Sequence, residues 1–167
     1  MPPYRIILVA LLSTTPFLAL AANDSPTPKP SFTVQSEDGK PTTFDISALS
    51  QLPQHTVTAE AHGKKVTCDG VTLSDLVAKV GAPQGEALRG KALTIYVRVS
   101  ASDGYRVVYS LAELDPAMRD NVPILTAHCD GAALDAKDGP FRIVYPGEKR
   151  PARWIRQVTS IDLLRAP

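Results

Sequence analysis

The stretch that decides the fold is DGPFRIVYPGEKRPARWIRQVTSIDLL, Asp138 to Leu164, close to the end of the chain. It combines apolar runs typical of β-strands with a Pro-Gly turn and the only tryptophan of the sequence. The stretch also concentrates positive charge, and Arg165 follows it directly. Its cations are Arg142, Lys149, Arg150, Arg153 and Arg156. Arginine side chains beside turn N–H groups can bind oxyanions, so the turn is a candidate binding surface.

Composition limits what this charge can mean. The chain has 167 residues, of which 44% are hydrophobic and 21% are charged, as in an ordinary globular domain. Its formal net charge is only +1. That value gives no support for binding to nucleic acid or to a membrane surface, and we expect no nucleic-acid partner.

The N-terminal region is expected to lie outside the folded domain. Arg5 precedes an apolar run, and Ala19 and Ala21 have the spacing of a cleavage site, so residues 1–21 are predicted to be a signal peptide. A retained N-terminal anchor is the alternative. Residues 22–30 contain three prolines and no large apolar side chain, which predicts a flexible leader. We therefore expect a periplasmic protein with a single domain over residues 31–167.

The domain is predicted to be rich in strands. Alternating and β-branched residues indicate six of them. They are SFTVQS (31–36), HTVTAEA (55–61), LTIYVRVS (93–100), PILTAH (123–128), FRIVY (141–145) and RWIRQVTSIDLL (153–164). Helical spacing between Val71 and Val80 predicts one helix of about ten residues, with Thr72 as its cap. Ser110 and Glu113 have capping-box spacing, which predicts a second, shorter helix. The fold class is α+β: a mixed or barrel-like sheet with short peripheral helices.

Three segments, taken in order, resemble the molybdopterin-binding domain of sulfite oxidase-like oxidoreductases, which includes small secreted members. They are CDGVTLSDLVAKVGAP (68–83), VSASDGYRVVYSLAEL (99–114) and NVPILTAHCDGAALDAKDGPFRIVYPGEKRPARWIRQVTSIDL (121–163). The resemblance implies the fold of that family. It also implies a molybdopterin cofactor and redox chemistry on a small oxyanion-type substrate.

The resemblance also implies where a cofactor would bind. In the family an Arg/Lys-Trp pair lies beside the metal pocket, and Arg153 and Trp154 match that pair. Further candidate contacts are Tyr105, Arg142, Gly147 and Arg150, with Gly147 in the Pro146-Gly147 turn. Strand alternation supports another interpretation, in which Trp154 lies in the core and the arginines are solvated. A buried Arg153 requires a partner, either a bound anion or a carboxylate such as Asp103 or Asp138.

The metal ligand is the main departure from the family. Its enzymes hold molybdenum through one cysteine thiolate, and the matching position falls near Ala59. Alanine cannot ligate a metal, and the nearest sulfur is that of Cys68. Three roles for Cys68 remain open: a molybdenum ligand, a small buried side chain at the start of a helix, or a disulfide partner of Cys129. The histidines, His55, His62 and His128, are widely spaced, although His62 and Cys68 could join a copper or zinc site.

Two functions therefore compete. One is an exported molybdopterin-dependent oxidoreductase. The other is a cofactor-free relative whose cleft binds a small anion, or a periplasmic or membrane-bound protein partner. Lys64 and Lys65 could form a second anion-binding edge, or simply a solvated turn.

Overall fold

The computed structural model describes residues 29–167. The predicted signal peptide and residues 22–28 of the predicted leader lie outside this range. Lys29 and Pro30 precede the first strand and are exposed. Within the described range, no helix combines the length and apolar character needed to cross a membrane.

The strands form two sheets. The first contains β1 (Ser31–Gln35), β2 (Pro41–Asp45), β5 (Ile95–Ala101), β6 (Arg106–Ser110) and β10 (Val158–Arg165), in the order β2-β1-β10-β5-β6. The second contains β3 (His55–Ala61), β4 (Lys64–Thr72), β7 (Ile124–Cys129), β8 (Ala132–Ala133) and β9 (Arg142–Val144). Its order is β3-β4-β7-β8, and β9 also pairs with β7. Among the strands of residues 29–167, β1 and β10 form the only parallel pair.

This arrangement confirms a mixed α+β domain with a few short helices. Barrel-like closure is not confirmed, because the described strands form two separate ladders that do not join into one. The inner faces of the two sheets share one apolar core. Phe32 of the first sheet and Phe141, which precedes β9, meet there with ring centroids 4.9 Å apart. Along β5, burial alternates residue by residue, as the period of a half-exposed strand requires.

Three short α-helices connect the strands: α1 (Ile46–Leu49), α2 (Leu73–Ala78) and α3 (Leu111–Leu114). Three 3₁₀ turns, Gly85–Ala87, Gly90–Thr94 and Pro151–Arg153, complete the helical structure of the described residues. Thr72 caps α2, and Ser110 with Glu113 forms a full capping box on α3, as predicted.

Helix α2 is shorter than the predicted ten residues. The sequence pattern begins at Val71, but Val71 and Thr72 belong to β4 and pair with Leu125 and Ile124 of β7. The apolar spacing therefore continues from a strand into a six-residue helix. Gly70 lies at the adjoining bulge, where a Cβ atom would come within 2.2 Å of the Leu125 carbonyl oxygen. Only glycine allows the two strands to approach so closely.

The last strand also differs from its prediction, which began at Arg153. Residues Pro151–Arg153 form a 3₁₀ turn, and Gln157 has a left-handed backbone with φ of 50°. The strand therefore begins only at Val158. Consequently Arg153 and Trp154 lie on an irregular connection, where strand alternation does not decide their directions.

Candidate functional site

The candidate site is built around the connection between β9 and β10, which we call the 145–157 segment (Tyr145 to Gln157). Trp154 anchors it: its side chain is buried, and its indole N–H donates to the Tyr145 carbonyl at 3.1 Å. Gly147 has φ of 81°, so the Pro146-Gly147 turn uses a conformation that favours glycine. This hydrogen bond therefore connects Trp154 to Tyr145, the first residue of the segment.

Arg153 lies at the centre of what we call the Arg153 cluster, with Glu113, Glu148, Tyr109 and Tyr145. Its Nη1 donates to both carboxylate oxygens of Glu113 at 3.1 and 3.2 Å. Its Nε donates to Oε1 of Glu148 at 2.8 Å, and Nη2 donates to the same oxygen. The guanidinium carbon lies 4.9 Å from the ring centroid of Tyr109 and 5.2 Å from that of Tyr145. Two carboxylates and two aromatic faces therefore hold this cation.

The electrostatics of the cluster keep Arg153 and the two tyrosines in their ordinary charge states. Burial lowers the pKa of Arg153, but hydrogen bonds and charges from Glu148 and Glu113 outweigh it, so the pKa lies above its usual value. Burial raises the pKa of Tyr109 far above the usual tyrosine value. Burial also raises the pKa of Tyr145, and the charge of Glu113 adds to the effect. Arg153 stays charged, and both phenols stay neutral at neutral pH.

These contacts correct the expected partner of Arg153. Its carboxylate partners are Glu113 and Glu148, not Asp103 or Asp138. Asp138 instead pairs with Arg142 and, at 3.4 Å, with Arg156. Arg142 also lies 5.8 Å from the centroid of the Trp154 ring. Three of the predicted cations are thus already neutralised by carboxylates of the same chain.

Arg150 and Lys149 differ from these three cations. Both are exposed, and within residues 29–167 neither forms an ion pair. They line a cleft of about 720 Å³, which we call the 149–150 cleft. The other lining residues are Glu60, His62, Gly63, Glu148, Pro151 and Ala152. The tip of the β3–β4 hairpin faces the 145–157 segment across this space.

The remaining candidates are distributed over other surfaces. Gly147 lines a separate cleft of about 450 Å³, together with Arg153 and the loop from Pro116 to Asn121. Tyr105 is half-exposed and does not line the 149–150 cleft, although its hydroxyl donates at 3.0 Å to the carbonyl of Ala152, which does. Lys64 lines another cleft, together with Cys129. The six residues predicted to contact a cofactor therefore do not converge on one pocket.

The sulfur atoms do not provide a metal ligand. Cys68 and Cys129 are joined in a disulfide across β4 and β7, so neither has a thiolate to offer. Cys68 lies inside a strand and not, as one interpretation had it, at the start of a helix. Ala59, at the position that matches the family's ligand, is buried and apolar. Among the described residues, no group of three or more His, Cys, Asp or Glu side chains could hold a metal.

The histidines also lie apart. His55 approaches Asp75 at 3.3 Å, beside the start of α2. His62 occupies the left-handed turn between β3 and β4, and His128 is exposed on β7. No copper or zinc set including His62 and Cys68 forms. The donor residues of this chain do not fit a molybdenum–thiolate centre.

Sequence reasoning missed four members of the Arg153 cluster: Glu113, Glu148, Tyr109 and Tyr145. Glu113 was identified only as a capping residue, a role that it also performs. Glu148 lies five positions before Arg153 in the same cation-rich stretch, Asp138 to Leu164, but no helical or strand period relates the two positions. The usable signal was the nearby negative charge, because a half-buried arginine needs a carboxylate partner and Glu148 lies close to it in the sequence.

The fold and the site together define the class: an α+β domain with two sheets and a cation-rich connection before its last strand. No protein-family model matches the chain, and no curated protein matches it significantly. Among solved structures, the fold is similar to the sulfane dehydrogenase SoxCD from Paracoccus pantotrophus, with a TM-score of 0.62 and 18% identity. The match covers 80% of this chain but 38% of that one. At this identity the likeness shows a related fold and nothing more.

Proposed function

We propose that this domain is an exported, cofactor-free relative of sulfite oxidase-like domains, and that it binds a small oxyanion in the 149–150 cleft. The observation that carries the proposal is the contrast among the cations. Arg142, Arg153 and Arg156 are paired with carboxylates of the chain, while Lys149 and Arg150 face an open cleft with no such partner in residues 29–167.

The chemistry of the cleft suits an anion. Arg150 offers a planar fork that matches the geometry of an oxyanion, and Lys149 adds a mobile point charge. Glu148 also lines the cleft, but its Oε1 is occupied by Arg153. The buried Oε2 of Glu148 has no hydrogen-bond partner among the described residues, and Glu60 is the second carboxylate that opposes the two cations. Pro151 and Ala152 supply a short apolar wall beside the two cations, and phosphate, sulfate and sulfite are the simplest oxyanions with which to test the cleft.

A redox role with molybdopterin is the competing function implied by the sequence resemblance. It requires a soft thiolate donor to hold the metal. The disulfide between Cys68 and Cys129 and the buried Ala59 argue against that donor. Binding without redox chemistry needs only the residues that the cleft already contains.

Ligand titration tests the proposal. Phosphate, sulfate, sulfite and thiosulfate would each be added to the purified domain while its melting temperature is followed. A ligand at one hundred times its Kd stabilises the folded state by about 2.7 kcal/mol. We expect stabilisation by at least one of these anions. The Lys149→Ala/Arg150→Ala double variant should lose at least tenfold in affinity.

Arg106→Ala is the matched control. Arg106 is exposed on β6, lies outside the cleft and forms no ion pair within the described residues. Its removal should leave anion affinity unchanged. If the control weakens binding as much as the double variant, general charge is the cause and the cleft proposal fails. One molybdenum per chain, found by elemental analysis after expression in a cofactor-producing host, would instead favour the redox function.

Export is tested separately. The proposal expects cleavage after Ala21 and recovery of the protein from the periplasmic fraction. Mass spectrometry of the recovered N-terminus decides the point, and an intact Met1 in the membrane fraction would support the retained anchor.

A further inference from the structure

A second cleft is lined by residues of the β3–β4 hairpin and by Cys129, one of the two cysteines of the disulfide. It has a volume of about 420 Å³, and we call it the disulfide cleft. Its lining includes Lys64, Cys129, Asp130, Asp135, Asp138 and Arg142. Cys129 is only partly buried, whereas Cys68 has no exposed surface. The Cys129 side of the disulfide is therefore the side open to an incoming molecule, and the Cys68 side is closed.

We propose that the disulfide cleft is a site of thiol–disulfide exchange, at which a small external thiol attacks Cys129. The thiolate attacks Sγ of Cys129, and the bond to Cys68 breaks. Sγ of Cys68 leaves with the electron pair and takes up a proton. A second thiolate then attacks the external sulfur of the mixed disulfide and releases the Cys129 thiolate. Two external thiols are oxidised to one disulfide, and the protein disulfide is reduced to two thiols.

The strand pairing around the bond allows this chemistry in the folded protein. Thr67 N–H donates to Oδ1 of Asp130 at 2.9 Å, and Asp130 N–H donates to the Thr67 carbonyl at 2.6 Å. On the other side of the bond, β4 and β7 remain paired through Val71 and Leu125. Hydrogen bonds on both sides therefore hold the two strands together when the sulfur bond is broken. Because Cys68 is buried, its thiolate is a poor leaving group, so the exchange is expected to be slow.

The charges of the cleft indicate which thiol it accepts. Asp138 neutralises Arg142 through their ion pair. Asp138 is shared with Arg156, which lies outside the lining of the cleft. The lining itself carries three carboxylates against the two cations Lys64 and Arg142, an excess of one negative charge. An amine-bearing thiol should be concentrated at this site, and an anionic thiol should be repelled.

Reduction kinetics test the proposal on the oxidised wild-type domain. The probes are 2-aminoethanethiol and 2-mercaptoethanesulfonate, compared at equal thiolate concentration. The reduction rate should rise linearly with thiol concentration, and the amine should react about two- to fivefold faster at low salt, a ratio typical of exposed charge pairs. Acid quenching, alkylation and peptide mass spectrometry should place the first mixed disulfide on Cys129. A rate that does not depend on thiol concentration and equals the unfolding rate would overturn the proposal, as would a first adduct on Cys68.

Two variants test the charge argument in opposite directions. Asp135→Asn retains an oxygen for the turn N–H groups of Lys137 and Asp138 while it removes one negative charge. It should reduce the preference for the amine, and Lys64→Ala should increase it. If both variants leave the ratio of the two rates unchanged, the cleft does not select the thiol and the proposed substrate class is wrong. This inference is independent of the anion site, because neither variant changes a residue that lines the 149–150 cleft.

Discussion

Arg150 and Arg153 lie three positions apart on the same connection, yet their surroundings differ completely. Arg153 donates to two carboxylates and lies against two tyrosine rings. Arg150 is exposed and has no ion pair within the described part of the chain. One guanidinium is therefore part of the structure, and the other is available to a ligand.

This contrast shows that the cations of one stretch can have two different roles, one in stabilising the fold and one in binding a ligand. A half-buried arginine must be paired, because an uncompensated charge away from water destabilises the fold by several kcal/mol. Glu113 and Glu148 supply that compensation, and the Arg153 cluster then holds the 145–157 segment in place. The exposed cations beside it contribute little to stability, so their positions can serve binding.

The largest effect on stability is expected from Trp154→Ala, because Trp154 anchors the 145–157 segment that carries both Arg150 and Arg153. Trp154 is buried and bonded to the Tyr145 carbonyl, so its loss should lower the free energy of unfolding by about 3–5 kcal/mol. Urea unfolding measures the change. Trp154→Phe keeps most of the apolar volume and should cost less. Equal losses in the two variants would show that the indole N–H, and not packing, is the dominant contribution.

The next effect is expected from Arg153→Ala in the absence of any added anion. The change leaves Glu113 and Glu148 without their shared cation. Because the Arg153 side chain remains 34% exposed, solvent screens the pair, and we expect a loss of about 2 kcal/mol. Arg153→Lys retains the charge but not the fork, so its loss should be intermediate. A variant as stable as wild type would show that the cluster contributes nothing to the fold.

A smaller, pH-dependent effect should follow from Tyr109→Phe. The Tyr109 hydroxyl donates to the Arg153 carbonyl, and its removal should cost about 1 kcal/mol near pH 8. Burial raises the pKa of Tyr109 above the value of about 10 for an unfolded chain. At a pH between the pKa of Tyr109 in the unfolded chain and its higher pKa in the folded protein, only the unfolded state releases the proton. The free energy of unfolding of the wild type therefore falls as the pH rises above about 10.

The stability gap between wild type and Tyr109→Phe should therefore narrow from pH 10 to pH 11. The upper limit for one group is about 1.4 kcal/mol per pH unit. Urea unfolding at a series of pH values measures the gap. A gap that stays constant over this range would contradict the linkage.

The fold was predictable from sequence where local signals act alone. Thr72 caps one helix and Ser110 with Glu113 caps another, because a side-chain oxygen meets an N–H group three residues away. Strands β1, β3, β5 and β7 follow their alternating or β-branched patterns. Strand β4 was missed because Gly70 interrupts its pattern and its last residues also fit the helical period of α2.

The site was less predictable, because its contacts join positions that are distant in the sequence. Arg153 and Glu113 are 40 residues apart, and no local period relates them. The pattern did identify Trp154 and Arg153 as important neighbours. It could not distinguish the paired arginine from the exposed one, since that difference depends on which carboxylates the two sheets bring together.

The smallest change in stability is expected from Arg150→Ala, which tests whether the exposed arginine contributes to the fold. An exposed side chain with no ion pair in residues 29–167 should change the free energy of unfolding by less than about 0.5 kcal/mol. In 1 M salt the Debye length falls to about 3 Å, so any contribution from exposed charge should vanish. The half-buried Arg153 pair is screened less, and Arg153→Ala should keep most of its cost in that salt. Urea unfolding of both variants at low and high salt makes the comparison. If Arg150→Ala destabilises the protein as much as Arg153→Ala does, both arginines are structural and Arg150 is not available to bind an anion in the 149–150 cleft.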